Sequence, residues 1–117
     1  MSHTARFTLS IPNGGTDTPA LSTLMSKGAL RSTVGNCTDM ELYAPAALTA
    51  AVTVQISSKY GSGVWKTLQS GGSDVALVAG KSIQVPIGAF EDLRFHSAGA
   101  EGAQRDIDVV FQITMGQ

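Results

Sequence analysis

Charge is scarce in this chain. Only 15% of its 117 residues are Asp, Glu, Lys or Arg, against roughly 25% in an ordinary globular protein. The formal balance is −1. Arg6, Lys27, Arg31, Lys59, Lys66, Lys81, Arg94 and Arg105 are scattered along the sequence, so there is no electrostatic footprint for nucleic acid. Cysteine is limited to Cys37, which excludes an internal disulfide and does not imply an oxidising compartment. Cys37 reads as a small buried apolar residue. A reactive thiol would want a nearby His or Lys and a helix N-terminus. No run approaches the ~20 apolar residues of a membrane span, and Met1–Ala5 lacks the basic start and apolar stretch of a signal peptide. The expectation is a soluble, unprocessed chain without nucleic-acid or membrane partners.

What is abundant is alternation. In Ala51–Gln69, Val52, Val54 and Ile56 share one face and Thr53, Gln55 and Ser57 the other, the period of two of a half-buried strand. The turn Ser57–Gly63 contains Gly61 and Gly63, which tolerate positive φ, and Val64–Leu68 returns past Trp65 as the second arm of a hairpin. Phe7, Leu9 and Ile11 alternate in the same way, as do Met40, Leu42 and Ala44, and Leu93 and Phe95. In the last segment Ile107, Val109, Phe111 and Ile113 form one row. A helix would place residues 107 and 109 about 200° apart and scatter that row. Leu30–Val34, Val75–Val78 and Ser82–Val85 are further strand candidates.

Turn chemistry at Pro12–Gly15, Gly35-Asn36, Ser70–Gly72, Ala79–Lys81 and Gly99–Gly102 separates these segments. Short strands at this spacing without an interleaved helical pattern predict an all-β antiparallel sandwich. The chain reads as one domain over residues 1–117: an N-terminal strand, arm and linker over 1–20, and the sandwich body over 21–117. Asn13–Pro19 is the linker-like stretch, so the first strand is free to pair in its own sheet or reach a neighbouring subunit. Ala20–Lys27 fits helix and strand spacing and is assigned to strand. Pro45–Ala50 and Ile87–Phe90 each have room for a helical turn. The expected core comprises Trp65, Val52, Val54, Ile56, Phe95, Ile107, Val109 and Phe111.

Catalytic chemistry is thin. His3 and His96 are not brought together by any motif, and His3 falls in an expected disordered tip. Gly61-Ser62-Gly63 links two strands and so is no nucleophile elbow. Cys, His and carboxylates do not cluster at metal-ligand spacing, and the Gly-rich pieces lack the lysine and helix of a phosphate loop. Asp106 and Asp108 read as a solvated edge, and Glu91-Asp92 as turn residues. Trp65 with Tyr60 has the make-up of a sugar-stacking platform, but a lone Trp in a hairpin is more often an inter-sheet anchor. The expectation is a non-enzyme with no metal, cofactor or small-molecule substrate.

Leu42–Pro45, Leu48, Val52–Ser57 and Trp65–Leu68 form one recognisable set, and Phe90, Leu93–Phe95, Ser97–Ala100 and Gln104–Ile107 a second. Together they resemble small virion structural proteins of tailed bacteriophages over about Met40 to Gln117. The turn Ser58-Lys59-Tyr60-Gly61 departs from the Asp-Gly common there. The resemblance implies a jelly-roll-like sandwich that decorates or cements a phage capsid. Its partners would be the major capsid protein and itself, as a homodimer or small homo-oligomer. Its location would be the capsid exterior after synthesis in the bacterial cytoplasm. It implies no catalytic residues and leaves the binding interface undefined. Alternatives are a tail- or fibre-associated sandwich and a carbohydrate-binding module using Trp65 and Tyr60.

Overall fold

In a computed structural model, which describes residues 2–114, the alternating segments become strands. They run in the order β1 (Ser2–Ile11), α1 (Lys27–Gly35), β2 (Cys37–Tyr43), β3 (Val52–Ser57), β4 (Lys66–Thr67), β5 (Gln69–Ser70), β6 (Ser73–Asp74), β7 (Ala76–Leu77), β8 (Ser82–Pro86), β9 (Asp92–Ser97) and β10 (Arg105–Thr114), with a 3-10 turn at Leu21–Thr23. One sheet has the order β1-β10-β2-β8. In the other, β3 pairs with β9 on one side and with β4 and β7 on the other. β5 and β6 form a small separate hairpin. All pairings are antiparallel.

The second sheet continues past β9 through a piece of chain too short to be a strand. Asp17 bridges His96, the Thr18 amide donates to the Phe95 carbonyl at 3.0 Å, and the Ser97 amide donates to the Thr16 carbonyl at 2.6 Å. With 16–18 counted, the chain passes back and forth between the sheets, β1 to 16–18, to β2, to β3 and its neighbours, to β8, to β9, to β10. This is a jelly-roll path. The fold is an all-β, antiparallel, sandwich-like domain. The expected linker is therefore pinned to β9, and the first strand lies in its own sheet, paired with β10 from Ser2↔Thr114 to Ile11↔Arg105. His3, expected in a disordered tip, has its backbone in this ladder opposite Ile113. Asp106 and Asp108 lie on a central strand, since β10 runs between β1 and β2.

The core forms where the inner rows meet. Val52, Val54, Phe95, Ile107, Val109 and Phe111 are fully buried, together with Leu9, Ile11, Met40, Leu42 and Leu93. Ile56, near the end of β3, is only partly buried. Phe7 meets Phe111 edge to face with centroids 5.9 Å apart, a geometry that aromatic quadrupoles favour.

Two strand assignments are overturned. Leu30–Val34 lies in α1, and Ala20–Lys27 holds the 3-10 turn and the start of α1. Leu30 and Val34, both buried, are four residues apart, a spacing that satisfies a period of two and a period of 3.6 alike. The ends decide. Ser26 caps the helix, its Oγ accepting from the Ala29 amide at 3.2 Å, which satisfies an otherwise orphaned donor. Asn36 closes it, its Nδ2 donating to the Ser32 carbonyl at 2.7 Å. Pro45–Ala50 and Ile87–Phe90 contain no helix.

One end of the sandwich is tied by a buried carboxylate. Glu101 is 1% exposed. Its Oε1 accepts from the Thr49 amide at 2.8 Å and Arg105 Nε at 2.9 Å, and its Oε2 from the Ala50 amide at 3.1 Å and Ser97 Oγ at 2.7 Å. Its backbone exchanges hydrogen bonds with Gly14 and Gly15. Burial alone would raise this carboxyl. The Thr49 amide, the Ser97 hydroxyl, Arg105 and the Ala50 amide outweigh it and hold the group at about 2.

The folded value lies below the ordinary 4.5, so the stabilisation is present above the unfolded value and lost as pH falls through the folded one. Urea denaturation should show stability declining from about pH 5 towards pH 2. Glu101→Gln should flatten that slope. Glu101→Ala should cost about 3–5 kcal/mol, because Arg105 loses its buried partner.

Candidate interaction face

The outer side of the second sheet carries an organised group of side chains. In the register Gln55↔Arg94 and Gln55↔Thr67, Gln55, Arg94 and Thr67 stand side by side, facing away from the core. Thr53 and His96 form the next such pair. Trp65 precedes Thr67 by two residues, so strand parity directs it to this same outer side.

This corrects the expectation that Trp65 anchors the core. It is half-buried and lies outside the core cluster. The return arm of the hairpin pairs with β3 through Lys66 and Thr67 and the Leu68 amide, all beyond Trp65, and the turn before it uses Gly61 and Gly63 at φ of 66° and 74°. That turn sets the parity of the arm.

Arg94 organises the face. Its Nε donates to Gln55 Oε1 at 2.7 Å, its guanidinium carbon lies 4.7 Å from the Trp65 ring centroid, and Nη1 is 3.8 Å from Asp17 Oδ2. The other oxygen of Asp17 shares a hydrogen bond with His96 Nδ1 at 2.5 Å. Gln55 and Asp17, the latter braced by His96, thus hold the Arg94 guanidinium over the Trp65 indole. A cation over an aromatic face at an exposed site is worth about 0.5–1 kcal/mol. The greater effect is to restrict long side chains to one arrangement.

Tyr60 takes no part in this face. Its hydroxyl lies 2.7 Å from the Met25 carbonyl and 3.0 Å from that of Ser22, and its ring packs against the core. Among the described residues the one aromatic pair is Phe7 with Phe111, so the structure does not join Trp65 and Tyr60 as stacked rings. Glu91 and Asp92 are more than turn residues. Asp92 is buried and accepts from the amides of Ser22, Leu93 and Gly61. Glu91 pairs with Arg31 at 2.8 Å, which together with the Tyr60 amide holds its carboxyl below the usual range.

The opposite outer face, on the first sheet, is built differently. Asp108 accepts from Arg6 at 2.7 Å and Thr8 at 2.6 Å, and Asp106 accepts from Ser10 at 2.6 Å and from Gln104 at 2.9 Å. Those two bonds hold the Asp106 carboxyl below its ordinary value. Cys37 lines a shallow hollow of about 660 Å³ with Arg31, Val34, Phe90 and Glu91, and partial burial raises its thiol. Among the described residues no three His, Cys, Asp or Glu side chains gather as a metal site. No described helix is long and apolar enough to cross a membrane.

Alternation places Gln55, Arg94 and His96 on the side away from the core. It does not reveal that Asp17, 77 residues or more away from Arg94 and His96 in sequence, would join them. Glu101 was likewise hidden in a segment read only as a turn.

No protein-family model matches the sequence, and a search of curated proteins finds no match. Solved structures do resemble it. The SPBc2 prophage-derived protein YomS aligns at a TM-score of 0.57 and 9% identity, covering 96% of this chain and 95% of its own. The Yersinia pseudotuberculosis-derived mitogen aligns at 0.47 and 6% identity, over 100% of this chain and 91% of its own. A virus-like particle of the Macrobrachium rosenbergii extra small virus aligns at 0.31 and 9% identity, over 99% and 81%. At their TM-scores the latter two bear no weight. The likeness to YomS is one of fold.

The placement of Trp65 has a measurable consequence. Trp65→Ala should cost about 1 kcal/mol, the scale of an exposed cation–π contact, whereas Phe95→Ala should cost about 3–5 kcal/mol. Urea titration of both variants checks this. Equal losses would return Trp65 to the core.

Proposed function

We propose that this chain is a non-catalytic virion structural protein of a tailed phage, and more narrowly a decoration protein that binds the assembled head across neighbouring major capsid subunits. The observation that carries the reading is the sandwich shared with a prophage-derived protein over 96% of this chain. The resemblance of Met40–Gln117 to small phage virion proteins adds to it.

The physical chemistry supports such a role. A cement protein stabilises a shell by binding the assembled lattice better than free subunits. Repetition over the lattice supplies avidity, so each contact need only be modest. The face around Trp65 and Arg94 suits that contact. Trp and Arg are the residues enriched where binding energy concentrates, and Thr53, Gln55 and Thr67 around them have no charge to desolvate.

Purified particles of the encoding phage, analysed by quantitative mass spectrometry, should contain the chain in copy number comparable to the capsid subunits. Added protein should co-sediment with heads stripped of it and raise the temperature at which they burst. Trp65→Ala with Arg94→Ala should weaken that binding at least tenfold while the sandwich stays folded. Recovery in the tail fraction alone would sink the capsid assignment. A sugar signal on a glycan array, lost in Trp65→Ala, would favour a carbohydrate-binding module instead.

A further inference from the structure

The first sheet has two edges of opposite character. β8 at one edge is five residues long, follows Lys81 and ends on Pro86, the short, charged and proline-blocked kind of edge that resists further pairing. β1 at the other edge is ten residues long and contains no proline. Among the described residues no strand pairs with its outer side, and no backbone hydrogen bond outside the β1–β10 ladder involves Ser2–Ile11. Its unpaired N–H and C=O groups form a ready template for another strand.

The side chains show where cover is incomplete. Leu9 and Ile11 on the inner row are fully buried, at 1% and 0% exposure. Ala5 and Phe7 on the same row are only half-buried. On the outer row Thr4, Arg6 and Thr8 are exposed. This outer row also carries both signs of charge, since Arg6 pairs with Asp108 beside it.

We infer that β1 pairs antiparallel with β1 of a second copy of this chain, joining two four-stranded sheets into one eight-stranded sheet. A two-fold axis normal to the sheet keeps inner rows facing inward, so odd-numbered residues must stand opposite odd ones. With Arg6 on the axis, two guanidinium groups would face each other, which is unfavourable. With Phe7 on the axis, the two half-buried rings cover one another. Arg6 then stands opposite Thr8 of the second copy, one strand from that copy's Asp108. Each protomer thus offers its cation to the other's carboxylate, and this self-complementarity selects a second copy over an unrelated strand. The inference is independent of the capsid reading, because it concerns the isolated protein.

Sedimentation of the full chain at tens of micromolar should give a dimer. Ala5→Lys places an inward-pointing charge at the joined edge and should give a folded monomer that melts somewhat lower, since dimerisation no longer stabilises it, whereas Gln84→Lys on β8 should leave the dimer intact. In a Cys37→Ser background, Thr4→Cys mixed with Ser10→Cys should form a disulfide-linked heterodimer, and neither variant alone should cross-link. A monomeric wild-type chain, or a dimer that survives Ala5→Lys, overturns the inference. If Ala5→Lys does not fold, the cross-link decides, and its absence overturns the inference as well.

Discussion

The Glu101 carboxylate is the constraint on which one end of the sandwich depends. Its acceptors and backbone reach the chain leaving β1, the chain entering β3, the end of β9 and the start of β10. Those segments belong to both sheets. A buried anion is tolerated only when enough donors converge on it, so the carboxylate specifies where four stretches of backbone must come. Ser97, itself fully buried, shows the same economy. Its hydroxyl donates to Glu101 and lies 2.7 Å from the Gly99 carbonyl.

Asp92 does comparable work elsewhere. It holds the 3-10 turn, the start of β9 and the Gly61 turn through three backbone amides. Among the described residues no buried side-chain polar atom lacks a partner. The low charge content then acquires a meaning. Two of the acidic groups, Asp92 and Glu101, are buried and committed to internal structure, and the outer face of the second sheet carries Trp65 and Arg94 with Asp17 and His96 beside uncharged neighbours.

Strand existence was legible wherever alternation was strict. β1, β2, β3, β9 and β10 all follow from rows such as Ile107, Val109 and Phe111, because a period of two has no helical counterpart there. Where spacing was degenerate, it misled: Leu30 and Val34 fit either period, and only the Ser26 cap and the Asn36 closure separate them. Trp65 was misplaced for a different reason. Its type and its hairpin were read correctly, but which side of the sheet it faces depends on how the Gly61–Gly63 turn sets the returning arm.

The sequence by itself determined an antiparallel all-β chain, most of its inner rows and its lack of an electrostatic footprint for nucleic acid, since these rest on local periodicity and composition. Only the tertiary structure decided that 16–18 closes the second sheet, that Arg94 lies over Trp65 beside Asp17, and that Glu101 is buried. Each joins residues far apart in the chain. Such pairings are selected by burial and hydrogen-bond satisfaction across the whole sandwich, and no local pattern encodes them.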